Sequence, residues 1–426
     1  MGSLKFLIWF IEENIDDINK IFHSLHLHYG FKKIEIVGVI GDKPLYLNDA
    51  KLRNVSSDSL HLLEYDYVIV IGSNSNMTSN NMDMKRTFAE KINISANHLI
   101  FDFEILNGTF LFPNICLVII FNHRFDRNLP LLRKIYGGRF SNIRFLVPFY
   151  DGNDSDVIAV YESSHQFQGY LIQAYDRLKN VDCTHYLFIG DDLIINPDFN
   201  EVNFLNKTTN SCTIQNLNFS ICGFSPLNAP DRFRWHWTIG SSRPFYDNST
   251  IWRGSIYDYD EALLRFNNFF QTKYEEYYDE KFFGDPNKPG VTMFGSWNDS
   301  NGFFNLVNRF VYENKNSLKI PYPMASGYSD IFCTKKEYLF EFARLCGVFS
   351  AMNMFVEIAI PTAAVLTFKR ENVLFFPSKC SSILWGEERV KLENKYNRDF
   401  NQLYNDWNKD LYFIHPIKLS GWNIRI

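Results

Sequence analysis

Two stretches of the chain carry side chains suited to holding a metal-bound phosphate. In the first, His185-Tyr186-Leu187-Phe188-Ile189-Gly190-Asp191-Asp192-Leu193-Ile194-Ile195-Asn196-Pro197, an apolar run predicts a strand that ends in two adjacent carboxylates. Ligands of open α/β sheets bind outside the carboxyl ends of strands. Hard oxygen donors placed there suit Mg²⁺ or Mn²⁺, which bridges phosphates while keeping several waters. Side-by-side carboxylates also repel, and a bound cation relieves that repulsion. A strand-end turn is the plainer reading of the same residues. The second stretch, Tyr412-Phe413-Ile414-His415-Pro416-Ile417-Lys418, predicts a strand ending in an imidazole, with an ammonium three positions on. Imidazole ligates divalent metals, and Lys is a compact phosphate-binding charge. Alone, such a His is unremarkable; beside the acidic strand end the two stretches become complementary halves of one metal–diphosphate site.

A third set lies between them. Ser326-Gly327-Tyr328-Ser329-Asp330 offers a carboxylate after a flexible turn, and Glu357 sits within the apolar run Phe355-Val356-Glu357-Ile358-Ala359-Ile360-Pro361. Apolar surroundings raise a carboxyl pKa, as a general base requires. Asp330 reads equally well as the N-cap of a helix over 334–346. Glu357 reads equally well as a buried carboxylate paired with Arg344 or Lys369. Glu357 ranks slightly ahead, since nothing nearby in sequence explains it. Two weaker sets complete the list. Arg232 to Trp237 mixes cations with indoles, which suits sugar stacking or a packed loop. Tyr274 to Glu280 is a charge run that reads as a solvated face.

The elements that would position these residues fall into two groups. Over the first hundred or so residues the pattern predicts a helix at 14–27, strands at 34–40 and 67–71, a helix at 84–92 and a strand at 98–103. That alternation marks a parallel sheet, and no Gly-x-Gly-x-x-Gly turn accompanies it. The pattern restarts at Ile115. Strands are predicted at 116–121, 143–147, 157–161 and 186–189, with helices at 129–135 and 168–178, a Rossmann-like half. The stretch 203–320 is aromatic, Asn-rich and irregular, with one helix expected at 259–273, and suits acceptor recognition. Helical character returns at 335–347, strand-like character at 356–366, and a helix is expected near 389–407.

Composition bounds the function. The chain has 426 residues, with 43 Lys plus Arg against 48 Asp plus Glu, for a net charge of −5. That balance gives no reason to expect nucleic acid as a partner. Aromatic residues reach an unusual 17%; such side chains build large cores, and exposed rings also stack on sugars and bases. Seven scattered cysteines without a Cys-x-x-Cys pair argue against a zinc site and point to a reducing cytosol. The first residues lack the basic stretch of a signal peptide. The longest apolar run, about 13 residues, falls short of the roughly 20 that span a membrane.

In order, a strand followed by Asn122-His123-Arg124, two further strands, then Ile189-Gly190-Asp191-Asp192 through Pro197, and a late His415-Pro416-Ile417-Lys418 resemble the GT-A glycosyltransferases. The resemblance runs from about residue 115 to the end. In that family the acidic strand end is an Asp-x-Asp whose last carboxylate ligates Mn²⁺ or Mg²⁺ on a nucleoside diphosphate. Laid on it, Asp192 takes the last place, Asp191 the middle and Gly190 the first, so the family's first Asp is missing. The resemblance further implies His415 as a metal ligand and Lys418 as a phosphate contact. It gives Asn122, His123 and Arg124 to the base and makes an acidic group, Asp330 or Glu357, face the sugar.

The expectation is an α/β protein with a GT-A (Rossmann-like) catalytic domain over 113–426, carrying an insert near 203–320, after a small Rossmann-like accessory domain over 1–112. The expected activity is that of a cytoplasmic, metal-dependent glycosyltransferase of the kind used in polysaccharide biosynthesis. It would move a sugar from a nucleoside diphosphate sugar, UDP-linked by preference, to a hydroxyl of a glycan or glycoconjugate. An inverting route would use Asp330 or Glu357 as base, while the late His-x-x-Lys leans towards a retaining one. No nucleic acid and no transmembrane segment are expected, and peripheral membrane association stays open. The alternatives are a nucleotidyltransferase and a non-catalytic carbohydrate-binding protein. The first usually has a Gly-rich basic loop after its first strand, where this chain has Asn122 to Arg127 without glycine. The second leaves the carboxylate pair and His415 with Lys418 unexplained.

Overall fold

The computed structural model describes residues 3–10, 16–29, 33–40, 46–47, 50–51, 53–56, 59–60, 63, 65–72, 87–92, 94, 99–106, 114–208, 217–227, 236–246, 254–271, 277–279, 317–319 and 322–425. It is an α/β protein built on two main sheets. The first comprises β1 (Ser3–Phe10), α1 (Asp16–Tyr29), β2 (Lys33–Ile40), β3 (Asn54–Val55), β4 (Tyr67–Ile71), β5 (Leu99–Phe101) and the short α2 (Asp102–Leu106). Its five strands are all parallel, in the order β3-β2-β1-β4-β5. The sequence pattern missed the central strand β1, whose Phe6, Leu7 and Ile8 are fully buried. A run apolar on both faces is what a parallel strand covered on both sides requires. The strand expected over 98–103 stops at Phe101, because Glu104 accepts the Phe101 amide at 2.8 Å and turns the chain into α2.

The second sheet begins with β6 (Ile115–Ile120), α3 (Leu129–Tyr136), β7 (Asn142–Pro148), β8 (Val157–Val160), α4 (Gln168–Leu178) and β9 (His185–Gly190). The short β10 (Ile194–Ile195), β11 (Phe219–Pro226), α5 (His236–Tyr246), α6 (Tyr259–Phe270) and β12 (Ala325–Lys335) come next. The chain continues through α7 (Leu339–Ala351), α8 (Val356–Thr367), β13 (Val373–Phe376), β14 (Ser381–Ile383), α9 (Glu387–Lys395), α10 (Phe400–Asn405) and β15 (Phe413–His415). Seven strands align as β8-β7-β6-β9-β12-β11-β13. The β8-β7-β6-β9 half is parallel, and β12 runs antiparallel between β9 and β11. Along β6 alternate side chains serve opposite cores. Cys116, Val118 and Ile120 face one with α4, α7 and α8, while Ile115, Leu117 and Ile119 face the other with α3 and the chain's C-terminal strand. A separate small sheet, β10-β15-β14, stands beyond the end of β9.

Three expectations change. The run over 356–366 is a helix, with Pro361 inside it and every residue from Ile358 to Leu366 buried. A helix apolar all round gives no periodic signal, so it reads like a buried strand. Asp330 belongs to no turn and caps no helix; it lies within the eleven-residue strand β12. The stretch expected to be irregular contributes β11, the second strand from one edge of the sheet, where it pairs with both β12 and β13. Of the two weaker sequence sets, residues 232–235, 274–276 and 280 lie outside the described residues. Trp237 is described, and its ring stacks on Phe355 at 4.1 Å. Among the described residues the six cysteines are free and buried, and no helix is long and apolar enough to cross a membrane.

Candidate active site

The order of the parallel strands reverses between β6 and β9: β7 and β8 extend the sheet on one side of β6, and β9 lies on the other. Such a reversal opens a crevice outside the carboxyl ends of the two strands. Asn122 follows β6 and Asp191 follows β9, so both stand at that crevice. Their adjacency is direct, since the Asp191 amide donates to the Ile120 carbonyl at 2.8 Å and the Asn122 amide donates to Asp191 Oδ1 at 3.3 Å.

The distant His415 and Lys418 arrive by strand pairing. β15 runs antiparallel to β10, with Ile194 opposite Ile414 and Ile195 opposite Phe413. Carried two residues back from Ile194, that register sets Asp192 against the His415–Pro416 step. The Ile417 amide donates to the Asp192 carbonyl at 2.6 Å and closes the corner. His415 Nε2 lies 3.1 Å from Asp192 Oδ1, across 223 positions of sequence, and Lys418 Nζ donates to Asp192 Oδ2. Asp191, Asp192 and His415 are buried, whereas the Lys418 side chain is 55% exposed and reaches the group from the solvent side.

Asp330 joins from the next strand. Ile189 pairs with Ile331 across β9 and β12, so Asp330 lies opposite Gly190. A β-carbon at Gly190 would stand 3.3 Å from Asp192 Oδ1 and 3.6 Å from Asp330 Oδ1. The missing side chain at Gly190 thus leaves room that the Asp330 carboxylate borders. Glu357, at the start of α8, is acted on by the charges of Asp330, which raises its pKa, and His415, which lowers it. It pairs with neither cation proposed for it from sequence. Arg344 is engaged by Glu341, at 2.7 and 3.0 Å, and by the Ser255 carbonyl, and Lys369 is not among the charges acting on it.

These surroundings separate the carboxylates. Burial, then the charge of Asp192, pushes the Asp191 carboxyl up to about 7 against the Asn122 amide and Lys418, which pull it down. Burial also works against ionised Asp192, but His415 and Lys418 outweigh it and hold that carboxyl at about 2. Burial opposes charge on His415, yet Asp192 and Asp330 raise its pKa. Burial raises Asp330, with Asp192 adding to the effect. Glu357 is pushed up to about 7 by burial and by Asp330. The His415 ring makes T-shaped contacts with Tyr328 and with Trp385, ring centres 5.7 Å apart in each, and Tyr328 stacks on Phe413.

His123 and Arg124 stay outside this cluster. Both are exposed; the His123 ring meets Phe125, and Arg124 bonds Asp126 at 3.1 Å and also Asp151. Two features escaped the sequence reading. The exposed Trp385 had no periodic pattern around it, and only its place before a glycine and an acidic helix start marked it. The pairing of Asp330 with Gly190 needed β12, which the sequence pattern did not show.

The donors can be tested against a divalent cation. Among the described residues no three His, Cys, Asp or Glu side chains are gathered to hold a metal ion. Mg²⁺ and Mn²⁺ commonly take only one or two protein ligands and complete their shell with phosphate and water. Adjacent ligands of an octahedral ion at about 2.1 Å stand about 3.0 Å apart, close to the 3.1 Å between His415 Nε2 and Asp192 Oδ1. The ionised Asp192 carboxylate accepts from His415 Nε2, so one proton fills the gap between them, while His415 Nδ1 is buried without a hydrogen-bond partner. The pair fits such an ion in place of that proton. No family model matches the chain, and no curated protein matches it.

Proposed function

We propose that the protein is a GT-A-type, metal-dependent glycosyltransferase whose donor is a nucleoside diphosphate sugar, UDP-linked by preference. The observation that carries this reading is the meeting of Asp192, His415 and Lys418 outside the β6/β9 switch point. The mixed sheet, with a parallel half ending in the carboxylate pair, supports it. In this reading Asp192 and His415 hold Mn²⁺ or Mg²⁺, which when bound neutralises charge on the departing diphosphate. Lys418, half in solvent, supplies the further positive charge that the diphosphate needs. Asn122, touching Asp191 through its backbone, belongs to the nucleoside side. Arg124 has a weaker claim there, since Asp126 and Asp151 already occupy its guanidinium.

Glu357 is the base in this assignment. Its carboxyl is held near 7, where a proton acceptor for a hydroxyl works best at neutral pH. Asp330 is the carboxylate that faces the sugar and keeps the acceptor and His415 oriented.

The test is release of UDP and free sugar from a panel of UDP-sugars, followed by ³¹P NMR with Mn²⁺ and with chelator. Wild type is expected to hydrolyse at least one donor slowly and only with metal. Asp192→Ala should abolish release while keeping the native circular dichroism spectrum. His415→Ala should weaken UDP binding in a way that extra Mn²⁺ partly restores, and Lys418→Ala in a way that it does not. A lost charge-assisted bond corresponds to about 1.5–3 kcal/mol, or on the order of 10–100-fold in affinity. Full turnover in excess chelator would rule out the metal, and turnover only with a sugar phosphate and NTP would mark a nucleotidyltransferase.

A further inference from the structure

We propose that Trp385 is the floor of a pyranose-binding subsite, its indole stacked against one face of a sugar ring beside His415. The inference rests on the donor reading above and adds to it the part of the site that holds the sugar. Trp385 is 65% exposed, the most exposed of the large apolar side chains among the described residues. An indole left in water gains most from a ligand that covers it, because a Trp buries 150–250 Å² when enclosed.

The backbone on either side of the ring is held in place. One residue before it, the Leu384 amide donates to the His415 carbonyl at 2.7 Å, continuing the β14–β15 pairing that sets Ile383 against His415. After it, Gly386 takes φ 55°, a conformation open to glycine without strain, and the Glu388 amide bonds the Trp385 carbonyl at 3.2 Å as α9 begins. The indole stands beside the imidazole, 5.7 Å between ring centres at 75°.

The chemistry around it selects a sugar. A pyranose has a C–H face, which packs on an aromatic π-face, and a rim of hydroxyls, which donate to carboxylates. Carboxylates stand at His415, whose ring Trp385 meets: Asp192 Oδ1 lies 3.1 Å from its Nε2, and Asp330 lies opposite Gly190 on the next strand. A flat base has a stacking face but no hydroxyl rim, and the loop that follows β6 is the nucleoside side. A docked protein fits poorly, since α9, which follows the indole, buries none of its residues and is mostly charged, with Val390 its one exposed large apolar side chain.

The ring on the platform belongs either to the donor or to the acceptor, and the two are told apart experimentally. Full-length wild type, Trp385→Ala and Trp385→Phe are titrated with UDP and with UDP-glucose, UDP-galactose and UDP-N-acetylglucosamine in Mn²⁺ by calorimetry. Saturation-transfer NMR with the corresponding free monosaccharides is run alongside. If the donor ring stacks there, Trp385→Ala weakens the best UDP-sugar about ten-fold, leaves UDP unchanged, and Trp385→Phe restores most of the loss. If the acceptor ring stacks there, donor affinities hold and saturation transfer to a free monosaccharide disappears in Trp385→Ala alone. Equal weakening of UDP and UDP-sugars overturns the proposal, as does the absence of any change. Loss of self-association in Trp385→Ala would show a protein contact instead and overturn it as well. Failure of wild type to bind UDP defeats the donor reading, while the free monosaccharides still decide the platform. No saturation transfer to any of them in that case overturns it.

Discussion

At the scale of single residues, the site is a problem of charge arranged around one buried carboxylate. Asp192 gathers both cations, and its neighbour Asp191, with the same side chain one position earlier, is left to burial and repulsion. The first is held at about 2 and the second pushed to about 7. Two like groups forced apart in this way mark acid–base or cation-binding sites more often than structural ones. Glu357 shares the fate of Asp191, and its pH dependence can be signed. Its folded pKa lies above the ordinary carboxylate value. Its contribution to stability is therefore fully present below about pH 4.5 and is lost as pH rises through about 7. Glu357→Gln should accordingly raise the melting temperature relative to wild type at pH 8 and leave it nearly unchanged at pH 5, while removing transfer activity. Thermal scans of both proteins at the two pH values check this. An equal shift at both would mean that Glu357 is not held charged against its surroundings.

At the scale of elements, the site depends on a late strand folding back onto the end of an early one. Asn196, in the Asn196-Pro197 step after β10, does much of the fastening. Its Nδ2 donates to the carbonyls of Leu411 at 2.8 Å and Lys409 at 3.3 Å, and its amide donates to the Tyr412 carbonyl at 2.8 Å. Asn196→Ala strips the side-chain donors from two carbonyls and should destabilise the protein by about 1–3 kcal/mol. UDP affinity should fall with it, because β15 carries His415. Urea titration and calorimetry of the variant check both. A loss of stability with intact UDP binding would separate the fastening from the site. This dependence also explains what the sequence made legible. The strand end at Gly190 and the strand before His415 each had a local signature, an apolar run stopping at charge, and both were readable. The pairing of β10 with β15 had none, since strands of two and three residues carry no periodicity. β12 was hidden for a related reason. Its Ser326, Gly327, Ser329 and Asp330 break the alternation that announces a strand, and they are the polar residues a strand bordering a site would carry. The helix α8 was misread because a segment buried on every side shows neither period.

At the scale of the whole molecule, the two sheets share no strand, and each has its own cores. The first is enclosed by α1 and α2 on one face around Phe6, Ile8, Tyr67 and Ile69, with Leu7, Val68 and Val70 facing the other. The second sheet's two clusters include no residue before Ile115. Among the described residues one crosses over. Val202, after β10, packs in the cluster of Phe6 and Ile8. Cutting the chain before β6 would uncover that valine, at about 1.5–3 kcal/mol if its burial were lost completely, and would leave the β6/β9 crevice and β15 intact. Residues 112–426 produced alone should therefore unfold in one cooperative transition. They should bind UDP with Mn²⁺ within about threefold of the full chain, a difference under 1 kcal/mol. The opposite result would be equally informative. The first sheet is parallel, with the chain running from β1 to its neighbours on either side, so it has a reversal point of its own at β1 and β4. A fragment that folds but no longer binds UDP would move nucleotide recognition to that reversal point. The meeting of Asp192, His415 and Lys418 would then be the ionic closure of a C-terminal strand.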